Sequence, residues 1–89
     1  MKMDPHKIIK HPISTEKVIR LMESENKLVF KVDNGAKKQD IKKAIEKLFK
    51  AKVDKVNTLI DTSGQKRAYV KFSPETPAID IATNLGLMG

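Results

Sequence analysis

Apolar residues at three- and four-residue spacing single out one stretch of the chain. From Lys37 to Ala51, KKQDIKKAIEKLFKA, the residues Ile41, Ala44, Ile45, Leu48 and Phe49 form one helical stripe, and strong helix formers fill nearly every remaining position. Lys43, Lys47 and Lys50 project from the opposite side, while Lys37, Lys38 and Lys42 crowd the first turns. A helix this short is marginal alone, so its stripe must pack on a second element, and Leu48 is expected to be buried there. The helix start is chemically weak: Lys37 stands where a Ser or Thr cap would serve, and only Asp40 favours the dipole.

The flanking segments predict strands that supply the packing surface. Lys7 to Lys10 reads as a short edge strand stopped by His11-Pro12. Ser14 is expected to cap a helix with Glu16 in its first turn and Val18, Ile19 and Met22 as its stripe, ending near Ser24 to Asn26. From Lys27 to Asp33 the pattern alternates, with Leu28, Phe30 and Val32 on one side and Lys27, Lys31 and Asp33 mostly on the other, until Asn34-Gly35 breaks it. Val53 to Asp61 predicts a central strand. Val56 and Ile60 share one parity and Val53, Asn57 and Leu59 the other, so the period leaves its buried side open. Asp61 to Gln65 is turn chemistry for a hairpin. The second arm, Lys66 to Ser73, alternates cleanly, with Ala68, Val70 and Phe72 inward and Arg67, Tyr69 and Lys71 outward, and Pro74 ends it. Thr76 and Pro77 are placed to cap and open a last helix with Ala78, Ile81, Ala82 and Leu85 as its stripe and Gly86 to close it.

The order strand, helix, strand, helix, strand, strand predicts an α+β fold: a small antiparallel or mixed four-stranded sheet packed by helices, with a short C-terminal helix. No repeat, low-complexity tract or linker divides the chain, so residues 1–89 read as a single domain. A chain of that length buries roughly 60 to 65% of its unfolded surface. With no cysteine, disulfides and thiolate metal sites are excluded, which fits a reducing compartment. No apolar run approaches the roughly 18 residues that span a bilayer, and the start MKMDPHK has no signal-peptide core, so a cytosolic location is expected.

Charge changes the picture most. The chain carries a formal net charge of +7 and a sequence pI near 9.7. Such an excess is the footprint of a polyanion partner, because each neutralised phosphate releases condensed counterions. Lysine vastly outnumbers arginine, which occurs only at Arg20 and Arg67, a balance that favours phosphate contacts over bidentate base readout.

Little supports catalysis. The two histidines, His6 and His11, both lie in the N-terminal lead, and the acid nearest to His11 on its C-terminal side is Glu16, five residues on, at no ligand or triad spacing. Ser14, Ser24, Ser63 and Ser73 sit where caps and turns want a hydroxyl, and Gly35, Gly64, Gly86 and Gly89 are isolated rather than a phosphate-cradling loop. No catalytic residue, metal ligand or cofactor site is assigned. The outward row of Lys27, Lys31, Arg67, Tyr69 and Lys71 carries more, since an aromatic ring among cations can stack against nucleic acid. Tyr69 is the only tyrosine and there is no tryptophan. An RNA-recognition-motif sheet would show two or three exposed rings, so shape and phosphate recognition of folded RNA is the better expectation.

Several stretches together resemble the ribosomal proteins of the L twenty-three type, which stand at the exit of the nascent-chain tunnel. They are His11-Pro12-Ile13-Ser14-Thr15-Glu16-Lys17, Asp40-Ile41-Lys42-Lys43-Ala44-Ile45 with Leu48-Phe49, Val56-Asn57-Thr58-Leu59, and Lys66-Arg67-Ala68-Tyr69-Val70-Lys71. They cover nearly the whole chain in the right order.

The resemblance implies a structural protein of the large subunit, a monomer within the cytoplasmic ribosome, that binds large-subunit ribosomal RNA beside neighbouring proteins at the tunnel exit. It also implies a docking surface for the signal recognition particle or other nascent-chain factors, carried over to Thr15, Glu16 and Lys17. Glu16 serves equally as a helix N-terminal acid. The RNA-facing set implied is Asn57, Thr58, Arg67, Tyr69 and Lys71, with Lys7, Lys10, His11, Ser14, Lys37, Lys38 and Lys66 as further contacts. One departure matters. Bacterial members carry a long basic loop between the last two strands, whereas Asp61 to Gln65 leaves room only for a tight turn, as in the archaeal and eukaryotic form. The alternatives are a basic RNA- or DNA-binding module outside the ribosome and, more remotely, a small α+β enzyme.

Overall fold

The computed structural model describes residues 5–84. A helical turn, α1 (Pro5–Ile8), leads into β1 (Ile9–Pro12), followed by α2 (Glu16–Glu25), β2 (Lys27–Val32), α3 (Lys38–Phe49), β3 (Val53–Ile60), β4 (Lys66–Phe72) and α4 (Ala78–Asn84). The α+β order expected from the pattern is present, with α1 as an addition. Lys7 and Ile8 are wound into that turn, so the first strand begins two residues later than the apolar pattern suggests. α1 packs on α3 and brings Ile8 into the core.

The strands form one sheet in the order β1-β2-β4-β3, and every neighbouring pair is antiparallel. Since β2 and β3 both oppose β4, they run parallel to each other, with α3 as the crossover and β4 inserted between them. The third strand is therefore an edge, contrary to the central position expected for it. Burial explains the choice: Ala68, Val70 and Phe72 of β4 are at most 1% exposed, whereas Leu59 and Ile60 of β3 stand at 47% and 62%. A strand that must bury every second residue takes the middle.

A bulge resolves the parity of β3. Val53 pairs with Phe72 and Lys55 with Lys71, so Asp54 is the extra residue and the alternation reverses across it. Val53 and Val56, three apart, thereby both enter the core. A similar irregularity at Lys10 separates Ile9, paired with Val32, from His11, paired with Lys31.

The core lies between one sheet face and the helices. Leu28, Phe30 and Val32 of β2 and the inward residues of β4 meet Ile41, Ala44 and Ile45 of α3, while Ala78, Ile81 and Ala82 of α4 and Met22 of α2 close the flank. Leu48 and Phe49 are only partly buried, so the stripe of α3 is deepest in its first two turns, against the burial expected of Leu48. The Phe49 ring stacks on Phe30 with centroids 5.9 Å apart.

Local chemistry sets the helix ends, at the starts of α2 and α4 differently from the pattern. Thr15, not Ser14, caps α2: its Oγ1 accepts from the Val18 N–H at 3.3 Å. At α3 the Asp40 carboxylate accepts from the Lys37 N–H at 3.2 Å, half of a capping box, and lysine has no acceptor to supply the other half. At the start of α4, Thr76 accepts from the Lys52 N–H instead of capping, and the Ala78 N–H is met by Oδ1 of Asn26. Leu85 and Gly86 lie outside the described residues.

Asn26 ends α2 in the left-handed region, φ 58°, which asparagine tolerates better than most residues. From there its Nδ2 donates to the carbonyls of Phe72, Ser73 and Thr76, each at 3.1 Å. One side chain therefore ties the end of α2 to the β4–α4 connection.

Candidate nucleic-acid interface

The sheet face opposite α3 is built from cross-strand rows. Lys27, Lys71 and Lys55 stand side by side; Val29, Tyr69 and Asn57 form the next row; His11, Lys31, Arg67 and Leu59 form the third. Directly opposed residues project from the same face, so the expected row of Lys27, Lys31, Arg67, Tyr69 and Lys71 is assembled, with Asn57 and His11 beside it. Lys55 was absent from the sequence-based set, although its shared parity with Asn57 was the available clue.

Other expected contacts lie elsewhere. Thr58 opposes Ala68 and so points to the helix side of the sheet. Lys66 shares that side, and its Nζ donates to the Ala36 carbonyl at 2.7 Å, holding the loop before α3. Lys7, Lys10 and Ser14 are exposed near the β1 edge. Lys37 and Lys38 are exposed at the start of α3, where Lys38 and Lys42 face Asp54 and Lys55 across a shallow cleft. Thr15, Glu16 and Lys17 are exposed together at the start of α2. Of the two histidines, His6 has no described side chain, and His11 is exposed with Nδ1 3.4 Å from the Pro12 carbonyl.

Electrostatics order the open face. Arg67 donates through Nε to Oδ2 of Asp61 at 3.1 Å. The other oxygen of Asp61 accepts from the Ser63 hydroxyl at 2.6 Å and from the N–H groups of Ser63 and Gln65 at 3.0 Å. The Ser63 hydroxyl first, then the Gln65 N–H, hold the Asp61 carboxyl down at about 2. The hairpin turn thus keeps an anion that holds Arg67 by Nε alone, and the other guanidinium nitrogens make no hydrogen bond among the described residues. Lys27 is tied to Glu25 at 3.3 Å. Lys31, Lys55 and Lys71 have no carboxylate at ion-pair distance among the described residues. Cations held so loosely exchange water for phosphate oxygens at little cost.

A groove of about 430 Å³ runs between α2 and this face. Val18, Leu21 and Val29 line its floor, and Arg20, Arg67 and Tyr69 its sides. It exists because α2 packs on the inner strand β2: Met22 enters the main core, while Val18 and Leu21 line the groove together with Val29. Helical periodicity alone does not reveal this placement, so Arg20 was not among the expected contacts.

Residues 7–79 match the family described as "Ribosomal protein L23". The chain belongs to the ribosomal protein L23 family. It is 47% identical over 85 residues to the large ribosomal subunit protein uL23 of Methanococcus aeolicus and 49% identical over 85 residues to that of Methanococcus vannielii. Each alignment covers 96% of this chain and 99% of the relative. Membership of the L23 family, in its archaeal form, makes the chain a structural constituent of the large ribosomal subunit rather than an enzyme. The short hairpin read from the sequence is closed by the Asp61 N–H on the Gln65 carbonyl at 2.9 Å and by the Gly64 N–H on Asp61 at 3.0 Å. Gly64 supplies the positive φ of 84° that this turn requires. Among the described residues of this L23 chain, no helix is long and apolar enough to cross a membrane.

Proposed function

We propose that residues 1–89 act as one domain that binds large-subunit ribosomal RNA near the polypeptide tunnel exit through the open sheet face. The rows of Lys27, Lys71, Lys55, Tyr69, Asn57, Lys31 and Arg67 carry the reading: one side of the sheet is closed by helices, and the other holds cations with few partners around a single ring. Phosphates take the lysines and the free fork of Arg67, Asn57 offers a neutral donor and acceptor, and Tyr69 a stacking surface. The exposed cations near β1 and at the start of α3, Lys7, Lys10, Lys37 and Lys38, extend the contact around the edges. Thr15, Glu16 and Lys17 at the start of α2 offer a docking point for the signal recognition particle or another nascent-chain factor, with neighbouring ribosomal proteins around them. The chain works as a monomer in the cytoplasmic ribosome.

Titration of the purified chain against a large-subunit ribosomal RNA fragment and a random duplex, over a series of salt concentrations, tests this. Affinity for the fragment falls linearly on a log-log plot and exceeds that for the duplex. Lys71→Gln lowers the slope by about 0.7 to 0.9, the value of one phosphate contact. Equal affinity for both RNAs, or an unchanged slope in Lys71→Gln and Arg67→Gln together, overturns the assignment.

A further inference from the structure

The groove beside α2 combines two properties that the phosphate contacts do not use. Its floor of Val18, Leu21 and Val29 is apolar, on a face whose other residues are charged or polar apart from Leu59 at the β3 edge. Its rim carries Lys17, Arg20 and Arg67, and no acidic residue lines it. Lys17 and Arg20 have no ion-pair partner among the described residues. Tyr69, directly opposite Val29 on the neighbouring strand, forms one wall with a half-buried ring.

An occupant must therefore be flat and apolar on its faces and anionic along one flank. An apolar side chain would satisfy the floor and leave the cations unmatched; a duplex phosphate backbone would satisfy the cations and leave the floor wet. We infer that this groove receives one unstacked nucleobase of folded RNA, seated over Leu21 and against Tyr69, with its flanking phosphates held by Lys17, Arg20 and Arg67. A single unpaired base with its sugar and phosphates has both properties at once, and about 430 Å³ accommodates it. This inference rests on the open face binding RNA, and it adds that an unpaired nucleotide, rather than duplex shape alone, is selected.

The test uses the full chain and two fluorescent RNA hairpins, one with a single bulged adenosine and one fully paired, followed by anisotropy over a range of salt concentrations. The wild-type chain binds the bulged hairpin about 5- to 150-fold more tightly, the range expected for stacking one base. Tyr69→Ala abolishes that preference and Tyr69→Phe keeps it. Because Tyr69→Ala can loosen the sheet, Ser24→Trp, which fills the groove from an exposed position on α2, serves as a second variant: it abolishes the preference while the salt dependence of the paired hairpin stays unchanged. Equal binding of both hairpins with normal salt dependence overturns the nucleobase site and leaves RNA binding standing. Absence of salt-dependent binding to either overturns both. Displacement of an acidic leucine-rich peptide by Ser24→Trp, with no effect on RNA, assigns the groove to protein and overturns it as well.

Discussion

Oδ1 of Asn26 accepts a hydrogen bond from the N–H of Ala78 at 2.6 Å, joining the residue that ends α2 to the first residue of α4 across 52 positions of sequence. Together with the three carbonyls served by its Nδ2, this contact fixes how α4 closes the core. Asn26→Gly keeps the left-handed backbone free of strain and removes only the side-chain bonds, so it is expected to cost about 1 to 3 kcal/mol. Asn26→Ala adds the penalty of a positive φ and costs more. Urea unfolding checks both, and a neutral Asn26→Gly would show that α4 docks without the side chain.

Depth along α3 sets the cost of truncating its stripe. Ile45 is fully buried and Leu48 only partly so. Ile45→Ala is expected to lose about 2 to 5 kcal/mol, and Leu48→Ala distinctly less. Equal losses in denaturant titrations would contradict the observed tilt of the stripe.

The bulge at Asp54 makes a sharper claim. Asp54→Ala changes an exposed side chain and is expected to stay within about 0.5 kcal/mol of wild type. Deleting Asp54 leaves Val53 opposite Phe72 and Lys55 opposite Lys71 in unbroken alternation, with Val53 still inward. Its cost therefore comes from the lost local bend of β3 and the shortened connection to α3, and is expected to reach about 1 to 3 kcal/mol. Thermal melts of the two variants distinguish side chain from backbone; a deletion as stable as the substitution would mean the irregularity is dispensable.

Asp61 gives a pH signature. Its carboxyl titrates at about 2 when folded, against 3.8 for the unfolded reference, so the folded state favours the charged form. The contribution is complete above the unfolded value and fades as pH falls from about 4 through 2. The difference in melting temperature between wild type and Asp61→Asn is therefore constant near neutrality and narrows across that acid range. A difference that grows on acidification would reverse the assigned sign.

Strands with strict alternation and one wet face were readable from the sequence. Ala68, Val70 and Phe72 against Arg67, Tyr69 and Lys71 declared both the core and the open side of β4. The same logic failed for β3, because a one-residue bulge inverts parity at Asp54 and makes an edge strand look ambiguous. It also separates Asn57 from Thr58: adjacent strand residues face opposite ways, so the sheet brings only Asn57 beside Tyr69. Asn26 looked like a helix terminator, and its bonds to residues 72–78 are long-range facts that local spacing does not encode. The groove was invisible for a similar reason, since it depends on how α2 packs against β2.

The insertion of β4 between β2 and β3 bears on how the chain acquires its shape during synthesis. A growing polypeptide that has reached Ile60 has three strands and only one seam available, that between β1 and β2, because β3 pairs with nothing but β4. Translation of Lys66 to Phe72 then supplies both missing seams together. The sheet is therefore complete only once β4 is in place, and the rows of cations around Tyr69 need that same strand.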